Sequence, residues 1–531
     1  MKENKVMSVE NALNLVKDED CIAISSAGLI GYPDYIAWAL EEKFLTTGHP
    51  CNLALYSGCG HGVPFLHEGD ARFAHPGFLR KVICSHPDPV PDMRKLIEKD
   101  AFQAYILPQG VLQHLYRCSA AHEPGLLTKI GIGTYIDPRQ EGGKANKVTT
   151  EDIVRVMEID GEEYLFYKAF PVTVAIIRGT TADEHGNVTI EHEALKLEML
   201  EIALAAKAQK GKVIVQVERV AENGSIKPKD VVVPGELVDA IVVVNDVTKH
   251  HRQTAATVYN PYLSGETRAP MPTVDESKEI ELQANDIVCR RALFELFPGA
   301  VVNVGVGIGA GIGDLARNEG IERDLTFTLE LGAFGGAPMS MADFGSTMNP
   351  TAFVSHTSMF DFYHGGGLDI TFLGAAQVDK DGNVNSSKFG GHVAGQGGFI
   401  DISQSSQKVV FCTYFAAKGL KSSVVDGKLV IDQEGAVPKF VDKVDQITFS
   451  AKMAVEMGKP VIYVTERGVF ELTPEGIMLT EVAPGIDVEK DIVANMGFRP
   501  LISENLKYMD SRIFVPSKIG YVKDFFAKLE N

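Results

Sequence analysis

One acid set among glycines is the first place in this sequence where chemistry could sit. From residue 300 the chain reads AVVNVGVGIGAGIGDLARNEG, and from Asp324 it reads DLTFTLELGAFGG. Glycines at 305, 307, 309, 311 and 313 follow one apolar run. A second apolar run stops at Glu330, with Gly332, Gly335 and Gly336 behind it. Apolar run, glycine loop, helical stretch and apolar run together predict strand, loop, helix and strand. The carboxylate is thereby delivered at the C-terminal end of a strand, the edge at which open α/β sheets bind ligands.

Two chemistries fit such an acid. Gly305-x-Gly307-x-x-Ala310 is a permissive dinucleotide fingerprint, and Glu330 lies 25 residues beyond Gly305. An acid that holds the ribose of NAD is expected about 20 residues on, which would make the chain an NAD-dependent oxidoreductase. Alternatively Glu330 is a nucleophile. Gly332, Gly335 and Gly336 would then keep side chains away from an incoming acyl group, and backbone N–H groups in the turns would stabilise a developing oxyanion.

The elements that carry this acid belong to a repeated unit. Residues 172–188 read VTVAIIRGTTADEHGNV and residues 368–384 read LDITFLGAAQVDKDGNV. Both end in Asp-x-x-Gly-Asn-Val, at Asp183 and Asp379, an offset of 196 residues, and the same offset relates Lys212-Val-Ile-Val to Lys408-Val-Val-Phe. Each copy predicts a strand, a D-x-x-G-N turn, the start of another strand and a buried strand from the lysine. Two matches at one offset imply duplication of one unit. Residues 22–33, IAISSAGLIGYP, are the looser counterpart of the second copy's opening, with Gly28 and Gly31 after an apolar run. From Gly28 to Asp183 is 155 residues and from Gly305 to Asp379 is 74, so the first half carries an insertion, placed at about 78–168. The expected fold is α/β: two related open domains with mainly parallel sheets, 1–245 and 280–531, joined by a polar linker, 246–279. The first half has no acid recognisable as the equivalent of Glu330.

Composition bounds the partners. The net charge of −19 argues against nucleic acid or an anionic membrane as the main partner, while leaving local phosphate sites open. The first twenty residues are too charged for a signal peptide, and no apolar run approaches the roughly 20 residues that span a bilayer. Seven cysteines, an odd number without C-x-x-C, predict reduced thiols and a cytoplasmic protein. His61, His86, His122 and His364 lack metal-ligand spacing, so no metal is expected. Cys59, in Ser57-Gly-Cys-Gly-His61, has glycine neighbours but no placed base, and reads as a buried thiol. Lys249-His-His-Arg reads as a solvated basic cluster.

Six further segments are specific when taken together: PQGV from Pro108, GIGTYIDPRQEGGK from Gly131, FDFYHGGGLD from Phe360, GQGGFIDIS from Gly395, TERGVFEL from Thr465 and APGID from Ala483. With the Glu330 segment they make the chain resemble the family I coenzyme A transferases over nearly its whole length, closest to the fused-subunit acetate or propionate type of bacteria. The resemblance implies two related α/β domains, one per ancestral subunit, and a glutamate before a glycine turn as covalent nucleophile, here Glu330. The family usually has Ser, Thr or Asn and then Gly after that acid, whereas this chain has Leu331-Gly332. CoA would move from an acyl-CoA to a short carboxylic acid (acetate, propionate, butyrate, lactate or an arylacrylate) through a glutamyl-CoA thioester. An acyl-CoA hydrolase remains a further alternative.

The resemblance also assigns supporting roles. Gly305, Val306 and Gly307 would present N–H groups to CoA or the thioester oxygen, against the plain alternative of a tight turn. Gln109 corresponds to a polar residue near the acyl or carboxylate group, and an amide can donate to a carboxylate while staying neutral. Asn385 and Gly419 match oxyanion positions, Gly397 and Gly398 would let backbone approach the pantetheine, and Gly28 and Gly31 are expected at the substrate. The implied partners are acyl-CoA and carboxylic acids, with no cofactor beyond coenzyme A as substrate. A homo-oligomer, a tetramer by resemblance, is also implied.

Overall fold

The computed structural model describes residues 4–270, 281–339 and 341–529, so 271–279 of the expected linker lie outside the described residues. The chain forms two compact units. The first comprises Met1–Ala269, Leu329–Asp361 and Gly391–Asp401, and the second Pro270–Thr328, Phe362–Gly390 and Ile402–Asn531.

In the first unit, short apolar runs rich in β-branched residues form β1 (Cys21–Ile24), β2 (Leu53–Ser57), β3 (Leu79–Cys84), β4 (Gln103–Ile106), β5 (Val174–Arg178), β6 (Lys212–Val217) and β7 (Ala240–Val243). Their order across the sheet is β7-β6-β5-β1-β2-β3-β4, and every pairing is parallel. β1, β2 and β5 are buried along their whole length, as strands covered on both faces must be. Parallel neighbours need crossovers, and helices supply several of them. α1 (Asp34–Thr47) is closed by Gly48 at φ 75°, whose N–H caps the Phe44 carbonyl. α2 (Gln109–Ala120) starts directly after Pro108, and α3 (Met199–Ala208) leads into β6. The expected insertion contributes a separate antiparallel sheet of Gly125–Thr128, Val154–Ile159 and Glu162–Lys168.

The second unit repeats the plan. β8 (Val301–Val304), β9 (Thr326–Leu329), β10 (Ile370–Leu373), β11 (Lys408–Cys412) and β12 (Val461–Val464) lie in the order β9-β8-β10-β11-β12, all parallel. This is the order β2-β1-β5-β6-β7 of the first unit. β13 (Gly468–Thr473), β14 (Gly476–Val482) and β15 (Leu501–Tyr508) extend it beyond β12. α4 (Ala284–Leu293) precedes β8, and α5 (Gly311–Glu319) crosses from β8 to β9. The repeated turn is the same object twice. Asn187 N and Nδ2 donate to Asp183 at 2.9 and 2.7 Å, and Asn383 N and Nδ2 donate to Asp379 at 2.9 and 3.2 Å.

The compact units interleave where the expected halves, 1–245 and 280–531, divide the chain once. The reason is apolar: beyond β9, Leu331 and Ala333 join Leu329 in a buried cluster with Ala27, Ile30, Ala194, Leu195, Leu197 and Leu263. The chain that leaves the second sheet is therefore spent on the first unit's core. Among the described residues no helix is long and apolar enough to cross a membrane.

Candidate active site

Glu330 follows β9 immediately and is half-buried, held between the buried Leu329 and Leu331. Cys59 lies within reach of its charge. Burial pushes the Cys59 thiol up to about 12, and the negative charge of Glu330, then that of Glu198, adds to the effect. Cys59 therefore stays a protonated thiol beside the carboxylate, which suits a packing residue and not a nucleophile.

Leu331, where relatives are expected to carry a polar residue, packs inward. A Cβ placed on Gly345 would lie 3.0 Å from Leu331 Cδ1 and 3.3 Å from Ile30 Cδ1. The glycines after Glu330 serve the fold in the same way. Gly332, at φ 113°, would bring a Cβ to 2.4 Å from the Val354 carbonyl oxygen, and Gly336, at φ 75°, to 2.3 Å from that of Met348. Their freedom from side chains makes room for the protein's own backbone.

Gln109 opens α2, and its position is fixed from several sides. Its N–H donates to the Gly397 carbonyl at 3.1 Å, and the Gly397 N–H donates to Ser85 O at 3.0 Å. Gly398 follows, buried. The Gln109 side-chain nitrogen lies 2.8 Å from His356 Nε2, where α6 (His356–His364) begins. His356 Nδ1 lies 2.8 Å from Glu198 Oε2, and Glu198 Oε1 accepts the Ser26 N–H at 3.3 Å. Gln109 is 1% exposed, and His356 and Glu198 are 0% exposed. An amide nitrogen only donates, so His356 Nε2 accepts and Nδ1–H donates to Glu198.

Gly28 and Gly31 belong to the loop over this chain of contacts. The Gly28 N–H donates to Gly60 O at 2.9 Å. A Cβ on Gly31 would meet Leu197 Cδ1 at 2.4 Å, and the Leu197 carbonyl receives the His356 N–H at 3.1 Å.

The other expected positions, Gly305, Val306, Gly307, Asn385 and Gly419, belong to the second unit. The Gly305 N–H is used in the sheet, donating to Phe372 O at 2.8 Å, so it does not serve a ligand. Val306 is 68% exposed, and Gly307, at φ 110°, would have nothing within 4 Å of a Cβ. Gly307 lines a cavity of ≈ 590 Å³ and Gly419 one of ≈ 910 Å³, and Asn285 and Tyr414 line both. Asn385 is a turn-former: its Nδ2 donates to Gln377 Oε1 and Lys388 O at 2.7 and 2.6 Å, and its Oδ1 accepts from Ser387 N and Lys388 N. Both amide hydrogens are spoken for, which removes the geometric basis for an oxyanion donor there.

Glu198 and His356 escaped the sequence reading. They are 158 residues apart, neither sits in a recognisable motif, and only the fold pairs them. Two histidine-containing groups elsewhere in the first unit also went unread. Asp18, His49 and Cys51 lie together, as do Glu41, His67 and His75, close enough in each case to hold a metal ion. In the second, Arg72 already donates to Glu41 Oε2 at 3.1 Å, and both imidazoles reach Oε1 at 2.7 Å, which satisfies the carboxylate as an ion-pair network.

Comparison with known proteins identifies the arrangement. Residues 6–244 match the Coenzyme A transferase family. The chain is similar to a caffeate CoA-transferase of Acetobacterium woodii, 44% identical over 96% of this chain and 97% of that one. It is also similar to the acetate CoA-transferase YdiF of Escherichia coli K12, 43% identical over 97% and 96%. The crystal structure of the YdiF apoenzyme from E. coli O157:H7 superposes with a TM-score of 0.91, at 42% identity and 98% coverage of both chains, and its thioester complex with CoA with one of 0.90. These relatives lend no support to the oxidoreductase or hydrolase readings. At this identity over nearly the whole chain, the chain belongs to the coenzyme A transferase family.

Proposed function

We propose that Glu330 is the covalent nucleophile in transfer of CoA from an acyl-CoA to a short carboxylic acid. The observation that carries the reading is a half-buried carboxylate at the C-terminal end of a parallel strand, in a chain this similar to a protein crystallised as a CoA thioester. A Glu330 oxygen attacks the thioester carbonyl. The C–S bond breaks, leaving an acyl-glutamyl anhydride and CoA thiolate. The thiolate attacks the glutamyl carbonyl, the anhydride C–O bond breaks, and the donor leaves as carboxylate while Glu330 holds CoA as a thioester. The acceptor carboxylate reverses both steps, so turnover is ping-pong. A carboxylate is a weak nucleophile, and binding energy from the remote CoA body offsets the unfavourable attack.

Gln109 keeps one amide hydrogen beyond the one given to His356, and we assign that hydrogen to the acyl or carboxylate oxygen. The cavities lined by Gly307 and Gly419 support these two glycines as CoA-binding positions. The two curated relatives, one named for caffeate and one for acetate, are 44% and 43% identical to the chain, so a panel of acceptors must span aryl, hydroxy and aliphatic acids. The reading carries with it a cytoplasmic homo-oligomer, a tetramer by resemblance.

Substrate-dependent trapping tests the nucleophile. Borohydride or hydroxylamine is expected to inactivate the enzyme only after acyl-CoA is added, with the modified peptide mapping to residues 324–336. Labelling at Cys59, or inactivation without acyl-CoA, rules Glu330 out as the covalent residue.

A further inference from the structure

The buried pair Glu198–His356 has no part in the transfer as described, yet His356 contacts Gln109 directly. We infer that His356, oriented by Glu198, is a positioning residue that fixes which face of the Gln109 amide meets the substrate. The inference rests on the assignment of Gln109 to the substrate oxygen.

The argument is one of donors and acceptors. A free glutamine amide is nearly symmetric in shape and can turn over, exchanging its N–H₂ for its carbonyl oxygen. Presented to a developing oxyanion, the oxygen face repels where the N–H₂ face stabilises. Here the choice is made from behind. Glu198 at 0% exposure accepts at both oxygens, from Ser26 N at 3.3 Å and from His356 Nδ1 at 2.8 Å. With the Nδ1 proton so used, Nε2 carries only a lone pair, and only the amide nitrogen of Gln109 can satisfy it, at 2.8 Å.

The backbone around the contact leaves little freedom. Gln109 N–H is held by Gly397 O, and Gly110 N–H by Asp401 Oδ2 at 3.1 Å. A Cβ on Gly110 would lie 2.5 Å from the Phe360 ring, so α2 presents bare backbone to that ring of α6. The His356 ring itself lies 5.6 Å, centroid to centroid, from Phe360. A ring clamped in this way sets both the tautomer and the direction from which the amide is held.

A double-mutant cycle on the full-length enzyme separates positioning from plain structural support. Gln109→Ala and His356→Phe are each expected to lower kcat by on the order of 10²-fold, the effect of one lost oxyanion donor, with KM for acyl-CoA little changed. The double variant should be no slower than Gln109→Ala. Glu198→Gln is the second probe. Its amide can donate to Nδ1, shift the imidazole proton to Nε2 and set donor against donor at Gln109, so kcat should fall while thermal stability and the CoA adduct on Glu330 persist. Additive losses in the double variant, or wild-type kcat in His356→Phe and Glu198→Gln, overturn the positioning role alone. An unaffected Gln109→Ala overturns the role of Gln109 as well.

Discussion

The ends of β2 and β9 occupy the same place in two copies of one sheet. Ile22 faces Val174 on one side and Leu55 on the other, while Val302 faces Ile370 and Phe327. The 196-residue offset equates Val174 with Ile370, so Leu55 corresponds to Phe327 and, three residues on, Gly58 corresponds to Glu330. One copy ends in a half-buried carboxylate and the other in no side chain at all. The space is already occupied: a Cβ on Gly58 would lie 2.3 Å from the Gln113 side-chain nitrogen, and Gln113 is 0% exposed, so a side chain there must displace it. Of two equivalent strand ends, one carries the acid and the other gives that volume to packing from α2.

This contrast can be broken from either side. Glu330→Ala should cost at least about 10³-fold in kcat, as removal of a covalent nucleophile does, with the fold and thermal midpoint retained. Glu330→Asp should be severely impaired too, since withdrawing the oxygen by one methylene can cost about 10²-fold. Turnover above a few per cent in the alanine variant ends the covalent assignment. Gly58→Glu approaches the comparison from the other copy. It should lower stability by about 1–3 kcal/mol through overpacking against Gln113, read as a fall in the unfolding midpoint, and should restore no turnover when combined with Glu330→Ala. An active double variant would show the two strand ends to be interchangeable.

The smallest expected effect concerns the thiol beside the acid. Glu330→Gln removes a negative charge that helps hold the Cys59 pKa up, so thiolate forms at lower pH, and the pH profile of Cys59 alkylation should move down by less than about one unit. Burial, the larger cause, remains, so the thiol should still titrate above the ordinary cysteine value. An unmoved profile would place Glu330 out of electrostatic reach of Cys59.

The features legible in the sequence are local ones. Strand, glycine loop, helix and strand around Glu330 can be read from apolar runs and spacing, and the repeat from a turn whose Asp, Gly and Asn each make a necessary contact. What escaped is non-local. Glu198 and His356 meet only where the starts of α3 and α6 come together, and no periodicity marks a buried polar pair. Asn385 looked functional because a polar residue beside a glycine turn is equally apt for binding a ligand and for closing the turn. Gly332 and Gly336 were open to the same confusion, since a sequence shows that a side chain is missing and not what fills the space. The halves were read as contiguous because linkers are visible in composition, whereas a segment that returns to an earlier core is recognised only by its contacts.

That returning segment has a consequence for how the protein is made. The first unit needs Leu329–Asp361 and Gly391–Asp401, so when its seven-stranded sheet has left the ribosome its core cluster still lacks Leu329, Leu331 and Ala333. Domains ordinarily fold in order of synthesis. Here the earlier unit must wait, with an apolar face uncovered, for the roughly 60 residues of later chain between Ala269 and Leu329. Completion of that cluster and arrival of Glu330 are then one event, and a chain cut short before Glu330 lacks both.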